Sequence, residues 1–534
     1  MRWYTSVIDK IIPPFLKRQP FHIIMSVLSA LLLGMLLNLA FAPYEVFPMA
    51  IIVPMCLLAL WLKVSAKQAC QLGFIFGLGF FGLGVYWVFI SIHVIGEVII
   101  PLALLITAGL ITILALFPAA VGYTLNRYFS VNETAKIVCA FPAIWVFSEW
   151  ARSWLFTGFP WLFIGYSQTN SPLKGFASLL SVYGVSLATL MVSGLIVNAM
   201  IKYKQKHYRS VYFNLLGCAI IWISGGLLSL IPWTHPIGKP ISISLVQGAI
   251  PQTVKWSPDY LALSLNRYAN LTQPLWGKSK LIIWPEAAIP IPLQSAPAFI
   301  NAIDQKAKMS GSHLITGIPI ETANQTAYYN ALIALGSGKN NNLYIKRLLV
   351  PFGDYTPFLK YFAYAFNLLN IPFSNTLPGK ISQPPLIIDG IKILPSICYE
   401  IAFPEFIRSS DKTLGFLLTV TNDAWFGKSR AQAQHLQIAE MRAIELQRPL
   451  AFVSNNGITS IIAPDGKIEA AAPPYQVAVL NGRIQPVTGL TPWMRNGMDP
   501  LLFILICLVV TAIRSNKTHA TKKNVVAEST EYSL

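Results

Sequence analysis

The sequence predicts a polytopic α-helical membrane protein that carries one large α/β domain outside the bilayer. Three observations predict it. Hydrophobic residues fill 54% of the 534 positions and charged residues only 12%, about half the usual soluble share. The apolar residues are unevenly spread: long runs occupy 1–235 and 498–513, whereas 240–490 has the mixed composition of a globular domain. Within that stretch, short β-rich runs alternate with helix-like ones, the pattern of a layered α/β sandwich. The expected organisation is therefore 1–235 as transmembrane helices, 236–490 as the extramembrane domain, and 491–534 as a last helix with a basic tail. This composition excludes a disordered chain. The net charge of +18 lies largely in short loops beside apolar runs, where it sets membrane orientation. No motif of a nucleic-acid reader accompanies it, so nucleic acid is not an expected partner.

A spanning helix needs about 20 mainly apolar residues. Eight segments qualify as expected spans: 21–41, 48–62, 71–92, 98–123, 138–155, 176–201, 212–231 and 498–513. The second and last are short. The fifth holds Glu149 and Arg152, which could pair one turn apart or sit near an interface. The first is too long for a cleaved signal peptide, and further spans follow it at once. Lys and Arg alternate between loops. They occur at Arg2, Lys10, Lys17 and Arg18, at Lys63 and Lys67, at Arg127 and Lys136, at Lys202, Lys204, Lys206 and Arg209, and in the tail at Arg514, Lys517, Lys522 and Lys523. The loops 42–47 and 93–97 have none, and 156–175 has only Lys174. This alternation predicts cytoplasmic termini and places 235–497 on the opposite face.

Five of the six cysteines lie in or beside apolar spans; Cys398 alone belongs to the extramembrane domain, so no disulfide forms within it. Strands are expected at 241–248, 281–286, 313–320, 331–336, 342–350, 391–400, 416–426, 449–456 and 459–468, with a helix over 432–447. Pro464, Asp465 and Gly466 mark a hairpin turn. Three residues stand at or near strand ends, where scaffolded chemistry collects. Glu286, in IIWPEAAIP, follows a buried strand and a proline; it suits a general base or merely caps the next segment. Lys346, in LYIKRLLVPFGDYTP, lies in an apolar strand and either snorkels to water or faces a cleft as an oxyanion stabiliser. Cys398, in LPSICYEIAFPE, is either an inert buried thiol or a nucleophile that needs a base nearby. The domain's histidines, His313 and His435, sit in no papain-like motif.

Together these motifs resemble the nitrilase, or carbon–nitrogen hydrolase, superfamily, and along nearly its whole length the chain resembles the apolipoprotein N-acyltransferase family. The segments that carry the resemblance are LNLAFAPYEVFP (37–48), GFIFGLGFFGLGVYWVFISI (73–92), TGFPWLFIGYSQ (157–168), VQGAIPQTVKW (246–256), IIWPEAAIP (282–290), YIKRLLVPFGDYTP (344–357), ICYEIAFPE (397–405), TNDAWFG (421–427), MRAIELQRP (441–449), SNNGITSII (454–462) and GLTP (489–492). The resemblance implies an αββα nitrilase-like sandwich. It implies Glu286 as general base, Lys346 as oxyanion stabiliser and Cys398 as nucleophile. Trp256, Tyr399 and Glu400 match supporting positions of the family. Asp354 stands where the family usually has glutamate, one methylene longer.

The activity implied is transfer of an acyl chain from a phospholipid, with phosphatidylethanolamine the expected donor, to the α-amine of a lipoprotein's N-terminal S-diacylglyceryl-cysteine. It implies a ping-pong path through a Cys398 thioester, in the inner membrane with the catalytic domain in the periplasm. Aromatic residues Trp256, Phe358, Tyr361 and Phe362 are expected to form an interfacial lid or to pack ordinarily. No metal-ligand cluster or glycine-rich nucleotide loop is evident, so no cofactor or metal is expected. A membrane-tethered amidase or nitrilase acting on a small amide would share the triad but not need so many spans. A transporter is disfavoured by the scarcity of intramembrane charge.

Overall fold

The computed structural model describes residues 14–129, 132–336, 342–355 and 375–531. Two six-stranded sheets build the extramembrane domain. In chain order the strands are β1 (Thr234–Pro236), β2 (Ile241–Gln247), β3 (Leu281–Ile283), β4 (His313–Glu321), β5 (Tyr328–Leu335), β6 (Leu343–Ile345), β7 (Leu386–Ile388), β8 (Ile391–Ile397), β9 (Leu414–Thr421), β10 (Leu450–Ser454), β11 (Thr459–Ile462), β12 (Ile468–Ala472), β13 (Ala478–Ile484) and β14 (Val487–Gly489). One sheet has the order β13-β2-β3-β4-β5-β6 and the other β12-β11-β10-β9-β8-β7; β1 and β14 form a separate pair. The centre of each sheet is parallel: β2, β3 and β4 in one, β8, β9 and β10 in the other.

Strand residues alternate faces, and the burial follows. Ile243, Leu245, Leu281, Ile283 and Ile315 of the first sheet meet Ile393, Ile397, Phe416, Leu418, Val420 and Val453 of the second in one core. The intervening Val246, Ile282, Trp284, Leu314 and Ile318 face outward into another core with Tyr268 and Ile300, from the helices Pro258–Thr272 and Pro297–Ser310. On the far side, Leu417 and Phe452 share a core with Leu436, Met441 and Ile444 of the helix Ala431–Leu446. The layers are thus helix, sheet, sheet, helix, the αββα sandwich implied by the resemblance.

The helix Ala431–Leu446 is buried at fifteen of its sixteen positions, unlike a surface helix, because membrane-domain helices cover its outer face. The junction is polar as well as apolar. The helix Ala177–Lys204 breaks at Ser181 (φ +61°, ψ −171°). The Glu445 carboxylate accepts hydrogen bonds from Ser181 Oγ (2.6 Å) and the Val182 N–H (2.7 Å) there. Arg442 pairs with Glu445 and donates to Tyr166 Oη (2.8 Å).

Among the described residues, five helices are long and apolar enough to cross a membrane: Ile23–Ala40, Ile100–Tyr128, Pro172–Lys204, Tyr208–Ser229 and Asp499–Asn516. A sixth exists if the pair Ala66–Gly84 and Trp87–Ile95, bent by 51°, counts as one span. The expected count of about eight is not confirmed. Segment 48–62 forms the helix Met49–Trp61, 13 residues long, short of the roughly 20 a span requires. Segment 138–155 contains the helix Phe141–Arg152, 12 residues long, entered through a π turn at Lys136–Ala140. Its two charges bond separately. Glu149 accepts from the Ile164 N–H (2.8 Å) and Trp145 Nε1 (3.2 Å), while Arg152 donates to the Trp161 carbonyl (2.6 Å) under the rings of Phe81 and Phe163.

Candidate active site

The ends of β3, β6, β8 and β9 converge, and each end has a local cause. Trp284 N–H still bonds the Ile315 carbonyl, but Pro285 has no N–H to extend the ladder. The expected strand 281–286 therefore stops at Ile283 and releases Glu286. The Glu286 turn lies flush on β4 because position 317 is glycine; a Cβ there would meet Ala287 N at 2.4 Å and Pro285 O at 2.6 Å. The expected strand 342–350 ends early, at Ile345. The N–H groups of Arg347 (2.6 Å) and Leu348 (3.2 Å) turn to the Glu400 carboxylate instead of a neighbouring strand. Lys346 thus lies just beyond the strand rather than inside it. Strand β8 stops at Ile397, and a 3₁₀ turn runs from Cys398 to Ala402. Cys398 itself has a left-handed backbone, φ +54°.

The side chains of Glu286, Lys346 and Asp354 meet in a largely buried cluster. Lys346, 1% exposed, places Nζ 2.7 Å from Asp354 Oδ2 and 3.5 Å from Glu286 Oε1. Glu286 Oε1 also accepts from Asn330 Nδ2 (2.8 Å), and Oε2 accepts from the Asn422 N–H (2.9 Å). Asp354 Oδ2 accepts from the Val350 N–H (2.8 Å), so the shorter carboxylate still reaches the lysine. Burial alone would push the Lys346 ammonium down, but Asp354, Glu286 and Cys398 outweigh it and raise it above its ordinary value; the lysine stays charged. Burial, and then the Glu286 charge, raise the Cys398 thiol above its usual range, with Lys346 partly offsetting them. A resting thiol held protonated needs a base to become a nucleophile.

Glu400 is fully buried and binds the two halves of the site. Its Oε2 accepts from the Ile397 N–H (2.7 Å) and Tyr344 Oη (2.8 Å), while Oε1 takes the two amides after Lys346. The Tyr399 hydroxyl donates to the Gly158 carbonyl (3.0 Å), tying the cysteine turn to the membrane-domain loop. Trp256 is 54% exposed. Its neighbour Lys255 is buried and donates to the Glu286 carbonyl (3.0 Å); burial lowers that ammonium to about 8. Phe358, Tyr361 and Phe362 lie outside the described residues. Sequence reasoning assigned no role to Asn330, Asn422, Lys255, Asp423 or His435. Asn422 and Asp423 belong to the TNDAWFG segment and Lys255 precedes Trp256, so two motifs already pointed at them. Asn330 and His435 join the site only through tertiary contact.

Comparison with known proteins agrees with this architecture. Residues 33–195 match the family model for the apolipoprotein N-acyltransferase N-terminal domain, and 242–491 match the carbon–nitrogen hydrolase model. The apolipoprotein N-acyltransferase of Coxiella burnetii is 43% identical over 91% of this chain and 99% of its own length. That of Methylococcus capsulatus is 37% identical over 93% and 97%. A solved CN-hydrolase superfamily protein from Xanthomonas campestris aligns with 46% of this chain and 91% of its own at 21% identity and a TM-score of 0.35. With relatives of 37–43% identity matched nearly end to end, the chain belongs to the apolipoprotein N-acyltransferase family.

Proposed function

We propose that this chain transfers an acyl chain from a phospholipid to the α-amine of the N-terminal S-diacylglyceryl-cysteine of lipoprotein precursors, through a thioester on Cys398. The observation that carries the reading is the near full-length match to the Coxiella burnetii apolipoprotein N-acyltransferase. The buried cluster suits the chemistry. Glu286 takes the Cys398 thiol proton as Sγ attacks the ester carbonyl. Lys346 and backbone N–H groups stabilise the oxyanion, typically worth about 3–4 kcal/mol per donor. The ester C–O bond breaks, and the departing lysophospholipid oxygen takes the proton from Glu286. In the second half, the acceptor's neutral α-amine attacks the thioester and gives a proton to Glu286. The C–S bond breaks, and Cys398 recovers that proton. Asp354 holds Lys346, and Glu400 fixes the backbone on both sides of the site. Tyr399 ties the nucleophile turn to the membrane domain, and Trp256 lies at the exposed edge.

The domain division at 1–235, 236–490 and 491–534 and the alternation of basic loops support an orientation with both termini in the cytoplasm. The catalytic domain then lies on the periplasmic face of the inner membrane, with phosphatidylethanolamine as donor. Purified protein supplied with phospholipid and a diacylglyceryl-cysteine peptide should yield N-acylated peptide and lysophospholipid in equal amounts. Release of free fatty acid with no acylated peptide would favour a hydrolase instead.

A further inference from the structure

We propose that the buried Asp423–His435 pair is a positioning device for the nucleophile, holding the Cys398 carbonyl so that the residue keeps its left-handed backbone. The proposal rests on Cys398 as the nucleophile. A non-glycine residue in this conformation costs on the order of 1–3 kcal/mol, and the surrounding structure must impose it. On the N-terminal side, Glu400 holds the Ile397 N–H. On the C-terminal side, His435 Nε2 lies 3.2 Å from the Cys398 carbonyl oxygen. A carbonyl only accepts, so Nε2 is the donor.

The ring is itself fixed. Its Nδ1 lies 3.0 Å from Asp423 Oδ1, which accepts from Thr421 Oγ1 (2.8 Å). Both side chains are wholly buried. Three aromatic rings enclose the imidazole: Phe452 at 5.2 Å between centroids, Trp161 at 5.7 Å and Phe426 at 6.0 Å. Trp161 comes from the membrane-domain loop and is anchored by its Nε1–H on Gln434 (2.8 Å). The nucleophile's support is therefore completed by the membrane domain. A trans peptide sets its C=O and N–H antiparallel. Fixing the Cys398 carbonyl on His435 consequently also fixes the Tyr399 N–H, on the opposite side of that peptide.

Two substitutions separate positioning from packing. A glutamine amide reaches about as far as Nε2, so His435→Gln keeps a donor for the Cys398 carbonyl. An asparagine amide reaches only as far as Nδ1, so His435→Asn keeps the Asp423 contact and loses the carbonyl. Single-turnover acylation of Cys398 by phospholipid is followed by intact mass spectrometry, with thermal midpoints measured alongside. His435→Gln should acylate within about threefold of wild type. His435→Asn should slow roughly 10- to 100-fold, the range for one lost hydrogen bond, with the phospholipid concentration for half-maximal rate unchanged. Wild-type rates in His435→Asn, or equal slowing of both variants, would overturn positioning and leave Cys398 as the nucleophile. Absence of any adduct in the wild type would instead overturn the nucleophile assignment and this proposal with it.

Discussion

Glu400→Gln changes one atom of a residue that contacts no reacting group in the proposed mechanism, yet it should impair acylation. The Glu400 carboxylate accepts four hydrogen bonds: Arg347 and Leu348 N–H on Oε1, Ile397 N–H and Tyr344 Oη on Oε2. An amide has one accepting oxygen. With that oxygen toward Arg347 and Leu348, Tyr344 can rotate its hydroxyl and accept, but the Ile397 N–H is left facing an NH₂ group. The opposite flip strands two backbone donors. The better orientation therefore leaves one buried donor unpaired, a cost of about 1–3 kcal/mol. Ile397 immediately precedes Cys398, so the cost falls on the backbone of the proposed nucleophile. If it is fully expressed in the reactive conformation, acylation slows roughly 5- to 150-fold. Thermal unfolding in detergent and single-turnover acylation measure the two consequences. An unchanged midpoint together with an unchanged acylation rate would refute Glu400 as the brace between the Lys346 and Cys398 segments.

Lys346→Met leaves the Glu286 and Asp354 carboxylates buried with no ammonium between them. It should cost about 3–5 kcal/mol of stability and reduce acylation about 10²- to 10³-fold; Lys346→Arg should restore charge but not rate, since a planar fork does not replace a point donor, as chemical denaturation and acylation kinetics will show. Lys255 has a folded value lowered to about 8 by burial, so the unfolded chain binds more protons between pH 8 and about 10.5. Stability therefore rises with pH across that window. The stability of wild type relative to Lys255→Met should rise by on the order of 3 kcal/mol from pH 8 to 10.5, measured by denaturation at each pH. For orientation, a membrane-impermeant thiol reagent should label Lys306→Cys but not Lys206→Cys from outside intact spheroplasts; labelling of Lys306→Cys only after lysis would place the catalytic domain in the cytoplasm.

The strands that carry Glu286 and Cys398 were legible, but their expected ends at 286 and 400 ran past the observed Ile283 and Ile397. Pro285, with no N–H for the ladder, ends β3 before Glu286, and β8 gives way to a 3₁₀ turn at Cys398. The position of Lys346 was less legible. Arg347 and the apolar residues 348–350 continue a strand-like pattern, and only the Glu400 carboxylate, 53 residues later than Arg347 in the chain, diverts the N–H groups of Arg347 and Leu348. The span count of about eight was not confirmed, for a related reason. Hydropathy registers the apolar runs at 48–62 and 138–155 but not that their helices are only 13 and 12 residues long. His435 was weighed solely as a catalytic histidine, for which it lacks a motif. Its partners are Cys398, in the turn after β8, and Phe452, in the middle of β10, which only the folded sandwich brings to it. Asp354 could be placed beside Lys346 in principle, but whether one methylene less would reach was answered by a 2.7 Å contact.

The central claim is that Cys398 carries the acyl group between donor and acceptor. Intact-protein mass spectrometry after incubation with phospholipid alone tests it most directly. Wild type should gain the mass of one acyl chain, mapped to Cys398, removed by hydroxylamine and discharged by a diacylglyceryl-cysteine peptide; Cys398→Ala, folded and inserted in the membrane, should gain nothing. Peptide acylation by Cys398→Ala, or a wild-type adduct that the peptide does not discharge, would contradict the account.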